Sequence, residues 1–197
     1  MIKYPNIIEK CFNGIHYTSL GDSMFNDRKI CLSDEVTADT ANNLKLQLLY
    51  LDSIDHEKPI DFYIDTPGGD CIAGFSLYDI IRHISAPVVT INMGQCASIG
   101  SVLFLAGDKR CMLPHASVLI HEPSTNMGTV QISSAEKRLE LMNKLNDRLT
   151  EIISERTGKD AETVLRLIKE ETYFDYDEAV DFGFVNTDYG YLFNGGN

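Results

Sequence analysis

Residues 87–107, PVVTINMGQCASIGSVLFLAG, contain a predicted strand, a crowded turn and a predicted helix, and this order decides the fold. The run 87–92 is rich in β-branched residues, which is typical of a strand buried in a parallel sheet. Small residues follow it, and a helix begins around Ser98 and ends before Gly107. Tight packing of backbones is one explanation for small residues at this point. The other is that Ser98 is a nucleophile held at the turn, with main-chain N–H groups around it.

Strands and helices alternate on both sides of this stretch. Upstream, IDFYID (residues 60–65) alternates apolar and polar side chains as a strand does, and the turn TPGGD connects it to an apolar-periodic helix. Another strand (RKICL) and a helix that begins near Thr37 precede it, while KRCML and SVLI predict two strands downstream. Repeated β–α alternation predicts one α/β domain with largely parallel strands.

The most unusual predicted element is a long helix over residues 134–156, which Gly158 ends. Its apolar stripe consists of Ala135, Leu139, Met142, Leu145, Leu149 and Ile152. A stripe of this length predicts packing against another helix, from a second subunit. By contrast, residues 1–27 have no clear period and predict an irregular arm.

Composition limits the classes of partner. The chain has 197 residues, enough for one domain with a sizeable core, and its net charge of −12 argues against a nucleic-acid partner. Its five cysteines lack metal-site spacing, so we expect reduced thiols, no disulfide framework and no metal. No signal peptide or membrane-length apolar run is present. We therefore expect a soluble, cytoplasmic protein that does not contact a membrane.

A nucleophilic serine needs a base and donors for the oxyanion. His121 directly follows the predicted strand SVLI, where a parallel strand brings its last residue to the ligand-binding edge of a sheet. A surface histidine without a catalytic role is the alternative, and His115 is a weaker candidate. The glycines of the turn at residues 67–69 can present a backbone N–H group, although tight β–α turns of this kind are common. Residues 69–74 fit G-x-x-x-x-G but lack the following Lys of a P-loop, so no nucleotide site is predicted.

Four blocks of sequence resemble the signature blocks of the Clp protease proteolytic subunit family (ClpP). They are YIDTPGGDCIAGFSLYDII (63–81), MGQCASIGSVLFLAGDKR (93–110), LPHASVLIHEP (113–123) and EAVDFGFVN (178–186). The resemblance covers roughly residues 28–187. It implies a single peptidase domain over residues 1–197 with a ClpP/crotonase-like α/β fold, a stack of ββα units. The long helix would then protrude as part of a handle region at about residues 125–157, and residues 1–27 would form an N-terminal arm.

The resemblance also implies roles for particular residues. Ser98 matches the family nucleophile and His121 the base, and the backbone N–H groups of Gly69 and Ile99 match the oxyanion hole. The family acid is usually Asp, but Glu171 stands at that position, and Thr172 replaces an Arg that takes part in contacts between rings. The nearby Asp175 and Asp177 are competing acids, although both lie where a helix start favours acidic residues.

Family membership would imply rings of seven subunits, stacked in pairs around a chamber. An AAA+ unfoldase of the ClpX or ClpA kind would use ATP to feed it unfolded polypeptides, and this chain itself would need no cofactor. A substrate strand would pair with residues 124–128. Three alternatives stay open: an acyl-CoA enzyme of the crotonase group, a Ser–Lys peptidase with Lys109 as base, and a non-catalytic ring subunit that regulates an active paralogue.

Overall fold

The computed structural model describes residues 6–12, 14–124, 128 and 131–193. The strands are β1 (Asn6–Cys11), β2 (Gly14–Ser19), β3 (Lys29–Leu32), β4 (Ile60–Thr66), β5 (Val88–Ala97), β6 (Lys109–Met112), β7 (Ser117–Ile120) and β8 (Thr172–Phe174). The helices are α1 (Leu20–Asn26), α2 (Ala38–Ile54), α3 (Cys71–His83), α4 (Ile99–Leu105), α5 (Ile132–Thr157), α6 (Ala161–Lys169) and α7 (Tyr176–Phe182), followed by a 3-10 helix (Tyr189–Leu192).

Six strands form the central sheet, in the order β3-β4-β5-β7-β8 with β6 paired to β5 as well. All of these pairings are parallel except that of β8, which runs antiparallel to β7. The predicted α/β fold with largely parallel strands is therefore confirmed. The strand that follows Pro87 is the centre of the sheet, because β5 pairs with β4 on one side and with both β6 and β7 on the other.

The change of partner along β5 is stabilised by a buried amide. Residues 89–92 of β5 pair with β6, and residues 95–97 pair with β7. Between them, the Asn92 side chain donates from Nδ2 to the carbonyl of Ser117 (2.8 Å) and accepts at Oδ1 from the N–H of Gly94 (3.2 Å). These bonds satisfy the side chain in the interior, where an unpaired amide would be costly.

Helices cover the sheet on the side that positions the β5–α4 turn. α3 packs between α2 and α4, and α5 contacts both α4 and α6. Every residue of α4 is buried. Arg156 of α5 donates to the carbonyl of Leu105 (2.9 Å), the last residue of α4, and to that of Gly107 (2.8 Å) just beyond it. The long helix therefore holds the end of α4 opposite Ser98.

The N-terminal arm is more regular than expected. β1 and β2 form an antiparallel hairpin, and the Ser19 hydroxyl accepts from the N–H of Asp22 to begin α1. The expectation of irregular structure over residues 1–27 is wrong for this part of the arm. Apolar residues of the hairpin, such as Phe12 and Tyr17, are exposed. None of the hairpin side chains whose exposure the structure describes is buried, and the strands show no clean apolar alternation in the sequence.

The long helix lies where it was predicted, and α5 ends at Gly158, which has a left-handed backbone (φ 75°). Its apolar stripe divides into two parts. Leu145 and Leu149 are buried within the chain's own core, so the prediction that they contact a second subunit is wrong. Toward the start of the helix, Ile132 and Leu139 are exposed, the latter at 55%.

None of the helices in the described part of the chain combines the length and the apolar character needed to span a bilayer.

Candidate active site

Ser98 lies at the turn between β5 and α4 with an unusual backbone conformation (φ 56°, ψ −126°). Three hydrogen bonds fix its main chain: its N–H donates to Leu119 O (2.9 Å), and its carbonyl accepts from the N–H (3.0 Å) and hydroxyl (2.7 Å) of Ser101. Its own hydroxyl makes no hydrogen bond to another described residue. A positive φ costs energy for a residue with a Cβ, and such strain is often found at functional turns.

His121 is brought close to Ser98 by strand register. Ala97 of β5 pairs with Leu119 of β7, so one step further Ser98 lies beside Ile120, and His121 follows directly. The His121 side chain is half-buried. His115, in contrast, precedes β7 at the other end of that strand and is exposed. Of the two predicted candidates for the base, only His121 is brought to the Ser98 turn.

Glu171 is brought to the same edge by the antiparallel strand. Ile120 of β7 pairs with Thr172 of β8, so extension of this ladder by one residue sets Glu171 opposite His121. Glu171 is exposed, has a positive φ (53°), and donates its N–H to Ile168 O (3.3 Å).

The register thus brings Ser98, His121 and Glu171 to one edge of the sheet, but it does not join their side chains. Within the described residues, no hydrogen bond links Ser98 to His121 or His121 to Glu171. Catalytic hydrogen bonds are often long or poorly aligned without substrate and tighten when it binds. The structure therefore shows that the backbone brings these three residues close together at this edge.

The competing acids, Asp175 and Asp177, both lie at the start of α7. Asp175 is the N-cap of α7: its carboxylate accepts from the N–H of Glu178 (2.9 Å), and Glu178 accepts in return from the N–H of Asp175 (3.0 Å). Asp177 lies in the exposed first turn of that helix. These positions agree with the helix-start interpretation of both residues.

The turn at residues 67–69 packs directly against Ser98. Gly68 and Gly69 both have positive φ values (95° and 144°). A Cβ added to Gly68 would lie 2.7 Å from both Ala97 O and Ser98 Cβ, so no larger residue fits there. Residue 36 pairs with the turn, because Val36 N donates to Gly68 O (2.7 Å) and Asp70 N donates to Val36 O (2.7 Å).

Two unused N–H donors flank Ser98. The N–H of Gly69 in the turn and that of Ile99, the first residue of α4, make no hydrogen bond to other described residues. The first N–H groups of a helix have no partner within it, which explains the donor at Ile99. A pair of backbone donors beside a serine hydroxyl can stabilise an oxyanion that forms on an acyl group attacked by that hydroxyl.

Cys96 is the other side chain near the turn with nucleophilic potential. It is fully buried (0% exposed), and its burial, followed by the negative charge of Asp65, raises the pKa of its thiol well above the usual range. A nucleophilic cysteine requires the thiolate and access to substrate, and Cys96 has neither. Ser98 is therefore the better candidate.

Lys109, the base in the Ser–Lys alternative, is far from this edge. It pairs with Val89, near the opposite end of β5 from Ser98, and its ammonium group lies 4.8 Å from the ring centre of Tyr191.

Within the described residues, no cluster of three His, Cys, Asp or Glu side chains could hold a metal ion.

The sequence reasoning missed one residue beneath the turn. Thr66 is fully buried at the end of β4, and its hydroxyl accepts from the N–H of Gly68 (3.2 Å). The signal was present: Ile60, Phe62 and Ile64 alternate inward, and Thr66 continues that series with a polar group.

The state of Cys96 leads to a prediction about thiol reagents. When the native protein is treated with iodoacetamide at neutral pH, Cys96 stays unmodified, because its thiol is buried and protonated. After denaturation it reacts fully. Peptide mapping by mass spectrometry measures both, and alkylation of Cys96 in the native protein, with loss of peptide hydrolysis, would contradict the assignment of an inert thiol.

Comparison with known proteins agrees with the sequence blocks and the geometry. A family model described as Clp protease matches residues 13–187. The ATP-dependent Clp protease proteolytic subunit of Leuconostoc citreum (strain KM20) is 34% identical over 186 residues, which cover 93% of each chain. With a family match over most of its length and a strained serine at the β5–α4 turn, the chain belongs to the Clp protease family and is a serine peptidase.

Proposed function

We propose that this chain is the proteolytic subunit of an ATP-dependent Clp protease, an endopeptidase that cleaves unfolded polypeptides with Ser98 as nucleophile. The observation that carries the proposal is the Ser98 turn. There, a strained serine, whose hydroxyl makes no hydrogen bond to another described residue, directly precedes Ile99 and packs against the turn that carries the N–H of Gly69. His121 and Glu171 follow in register at the same edge.

The chemistry assigned to these groups is acyl transfer. Ser98 Oγ attacks the peptide carbonyl while the His121 ring accepts its proton, and the ring then gives that proton to the departing amine. Water releases the acyl group by the same steps in reverse. Glu171 orients His121 and stabilises its protonated form, and the N–H groups of Gly69 and Ile99 hold the oxyanion.

Substrate binding is assigned to the segment after His121. An extended polypeptide would pair with residues 124–128 as an added strand and align its carbonyl with Ser98. Residues 125–127 lie outside the described residues, so this assignment rests on the family resemblance. Metal and cofactor have no part in the proposed reaction.

The proposed assembly is a pair of seven-membered rings built from single peptidase domains (residues 1–197). The handle region (about residues 125–157) would join the rings, and the exposed stripe of α5 supports this, because apolar residues there have no partner within the described chain. Thr172 stands where the family has an Arg in the contact between rings. Its hydroxyl donates to Leu167 O (2.7 Å) within its own subunit, so ring pairing would proceed without that contact.

The name of the Leuconostoc relative supports dependence on ATP. We assign ATP hydrolysis to a separate AAA+ unfoldase of the ClpX or ClpA kind, which would deliver threaded substrate, while the present chain binds no nucleotide. The proposed location is the cytoplasm.

The acyl-CoA and non-catalytic alternatives have no observation in their favour, since neither needs the serine and histidine that share this edge.

Removal of the Ser98 hydroxyl tests the proposal. Ser98→Ala abolishes hydrolysis of a short fluorogenic peptide, while the native mass stays that of the wild type. Ser101→Ala retains hydrolysis at a reduced rate, because the buried Ser101 hydroxyl already donates to the Ser98 carbonyl, so it supports the turn and does not attack the substrate. Loss of activity in Ser101→Ala with full activity in Ser98→Ala would move the nucleophile to Ser101.

Substitutions of Glu171 test the acid. Glu171→Gln lowers kcat by about 100-fold or more, because disruption of a triad acid can cost about 10⁴-fold in turnover. Glu171→Asp keeps the charge and retains activity, and Asp177→Asn is the control at an exposed helix start. Steady-state kinetics on the same peptide measures kcat for each variant. Wild-type turnover in Glu171→Gln would mean that Ser98 and His121 act without this acid.

Assembly through α5 is tested by two leucine substitutions on one helix. Leu139→Glu places a charge on the exposed stripe and breaks double rings into smaller species. Leu141→Glu is the matched control, because two residues turn the helix by about 200° and so to the other face. Native mass spectrometry at micromolar concentration measures both. Double rings that persist in Leu139→Glu would refute the stripe as the contact.

A further inference from the structure

We propose that Thr66 is a positioning residue for peptide hydrolysis: its buried hydroxyl fixes the turn at residues 67–69 so that the N–H of Gly69 stays aimed at the developing oxyanion. This inference rests on the proposed function and extends it to a side chain that does not touch the substrate.

The Thr66 hydroxyl uses both its donor and an acceptor position. It donates to Asp34 O (2.6 Å) and accepts from the N–H of Gly68 (3.2 Å). Thr66 is fully buried (0% exposed), so water cannot replace either bond. One hydroxyl therefore connects the turn to the segment that follows β3.

The two bonds around Gly68 fix consecutive peptide planes. Thr66 holds the N–H of Gly68, which belongs to the Pro67–Gly68 peptide. Val36 holds the Gly68 carbonyl through its own N–H (2.7 Å), and that carbonyl shares a peptide plane with the N–H of Gly69. A trans peptide is planar, with its C=O and N–H pointing in opposite directions. The N–H of Gly69 is therefore directed away from Val36.

Without the hydroxyl, the first peptide plane of the turn would lose its hydrogen bond. Gly68 and Gly69 are consecutive, and glycine has more backbone freedom than any other residue. Val36 fixes only the second peptide plane, so loss of the Thr66 bond releases the first. Oxyanion donors act well only when they are held in place before the reaction, and a small displacement is costly.

The methyl group of Thr66 contacts the other side of the site. A Cβ added to Gly100 would lie 2.6 Å from Thr66 Cγ2, so the methyl group packs closely against α4 one residue beyond Ile99. The hydroxyl thus supports the turn that carries the N–H of Gly69, and the methyl group packs against α4 at Gly100, the residue after Ile99. One side chain therefore contacts both of the elements that carry the proposed donors.

The test compares Thr66→Val, which keeps the shape and removes the hydroxyl, with Thr66→Ser, which keeps the hydroxyl. In the assembled full chain, Thr66→Val lowers kcat for a fluorogenic peptide by about 10- to 100-fold, less than loss of a whole oxyanion donor. KM stays within about twofold, as expected for an interaction made in the transition state. A peptide boronate, which forms a tetrahedral adduct, loses affinity by a similar factor. Thr66→Ser retains most of the activity.

Thr90→Val is the matched control for stability. Thr90 is also fully buried, and its hydroxyl donates to Phe104 O (2.7 Å), at the end of α4 remote from the turn. This variant loses a comparable buried hydrogen bond and some thermal stability, while kcat stays near the wild-type value. A kcat in Thr66→Val equal to that in Thr90→Val would overturn the positioning role.

A second pair keeps the test decisive should Thr66→Val fail to assemble. Thr66→Ser and Thr66→Ala both lack the methyl group and differ only in the hydroxyl, so equal kcat values in these two variants would also refute the role. Failure of the proposed function is recognised separately, because hydrolysis would then survive Ser98→Ala. An enzyme that depends on Ser98 but not on the Thr66 hydroxyl would refute only the inference about Thr66.

Discussion

The pairing register of β7 with its two neighbours is the constraint on which the rest of this site depends. Parallel pairing with β5 sets the end of β7 beside Ser98, and antiparallel pairing with β8 sets the start of β8 opposite the same point. A serine, a histidine and a glutamate that are far apart in sequence thus share one edge through main-chain hydrogen bonds alone. A slip of one residue in either pairing would turn the side chains to the opposite face.

The strained turn at that edge is held by tertiary structure rather than by local preference. Ser98 keeps its positive φ because its N–H is bonded to β7 and because Gly68 leaves no room for the turn to relax. At the far end of α4, Arg156 binds the last carbonyls and connects the helix to α5. The helix that carries one proposed oxyanion donor is thereby fixed at both ends, as a preorganised site requires.

The sequence predicted the strands and helices that leave a periodic pattern of apolar residues. It missed the features that depend on tertiary contacts. The β-branched run before the Ser98 turn predicted the central strand, and the helix over residues 134–156 was confirmed. Apolar spacing indicates that one face of a helix is covered, but not which surface covers it. It predicted a second subunit against Leu145, which instead packs in the core of its own chain. The β1–β2 hairpin has no buried side chain among those whose exposure is described, and its sequence showed no strand period. The positions of Ser98 and His121 were predictable, whereas Thr66 required the hydrogen bonds of the turn to be seen.

Reaction of the unmodified protein with a fluorophosphonate tests the central claim most directly, because rapid reaction with this reagent requires a serine hydroxyl that is activated by a base. Peptide mapping of the adduct is predicted to find one phosphonate per chain, on Ser98. A phosphonate on Ser101 or another side chain, or peptide hydrolysis by a protein that takes up no phosphonate, would contradict the account.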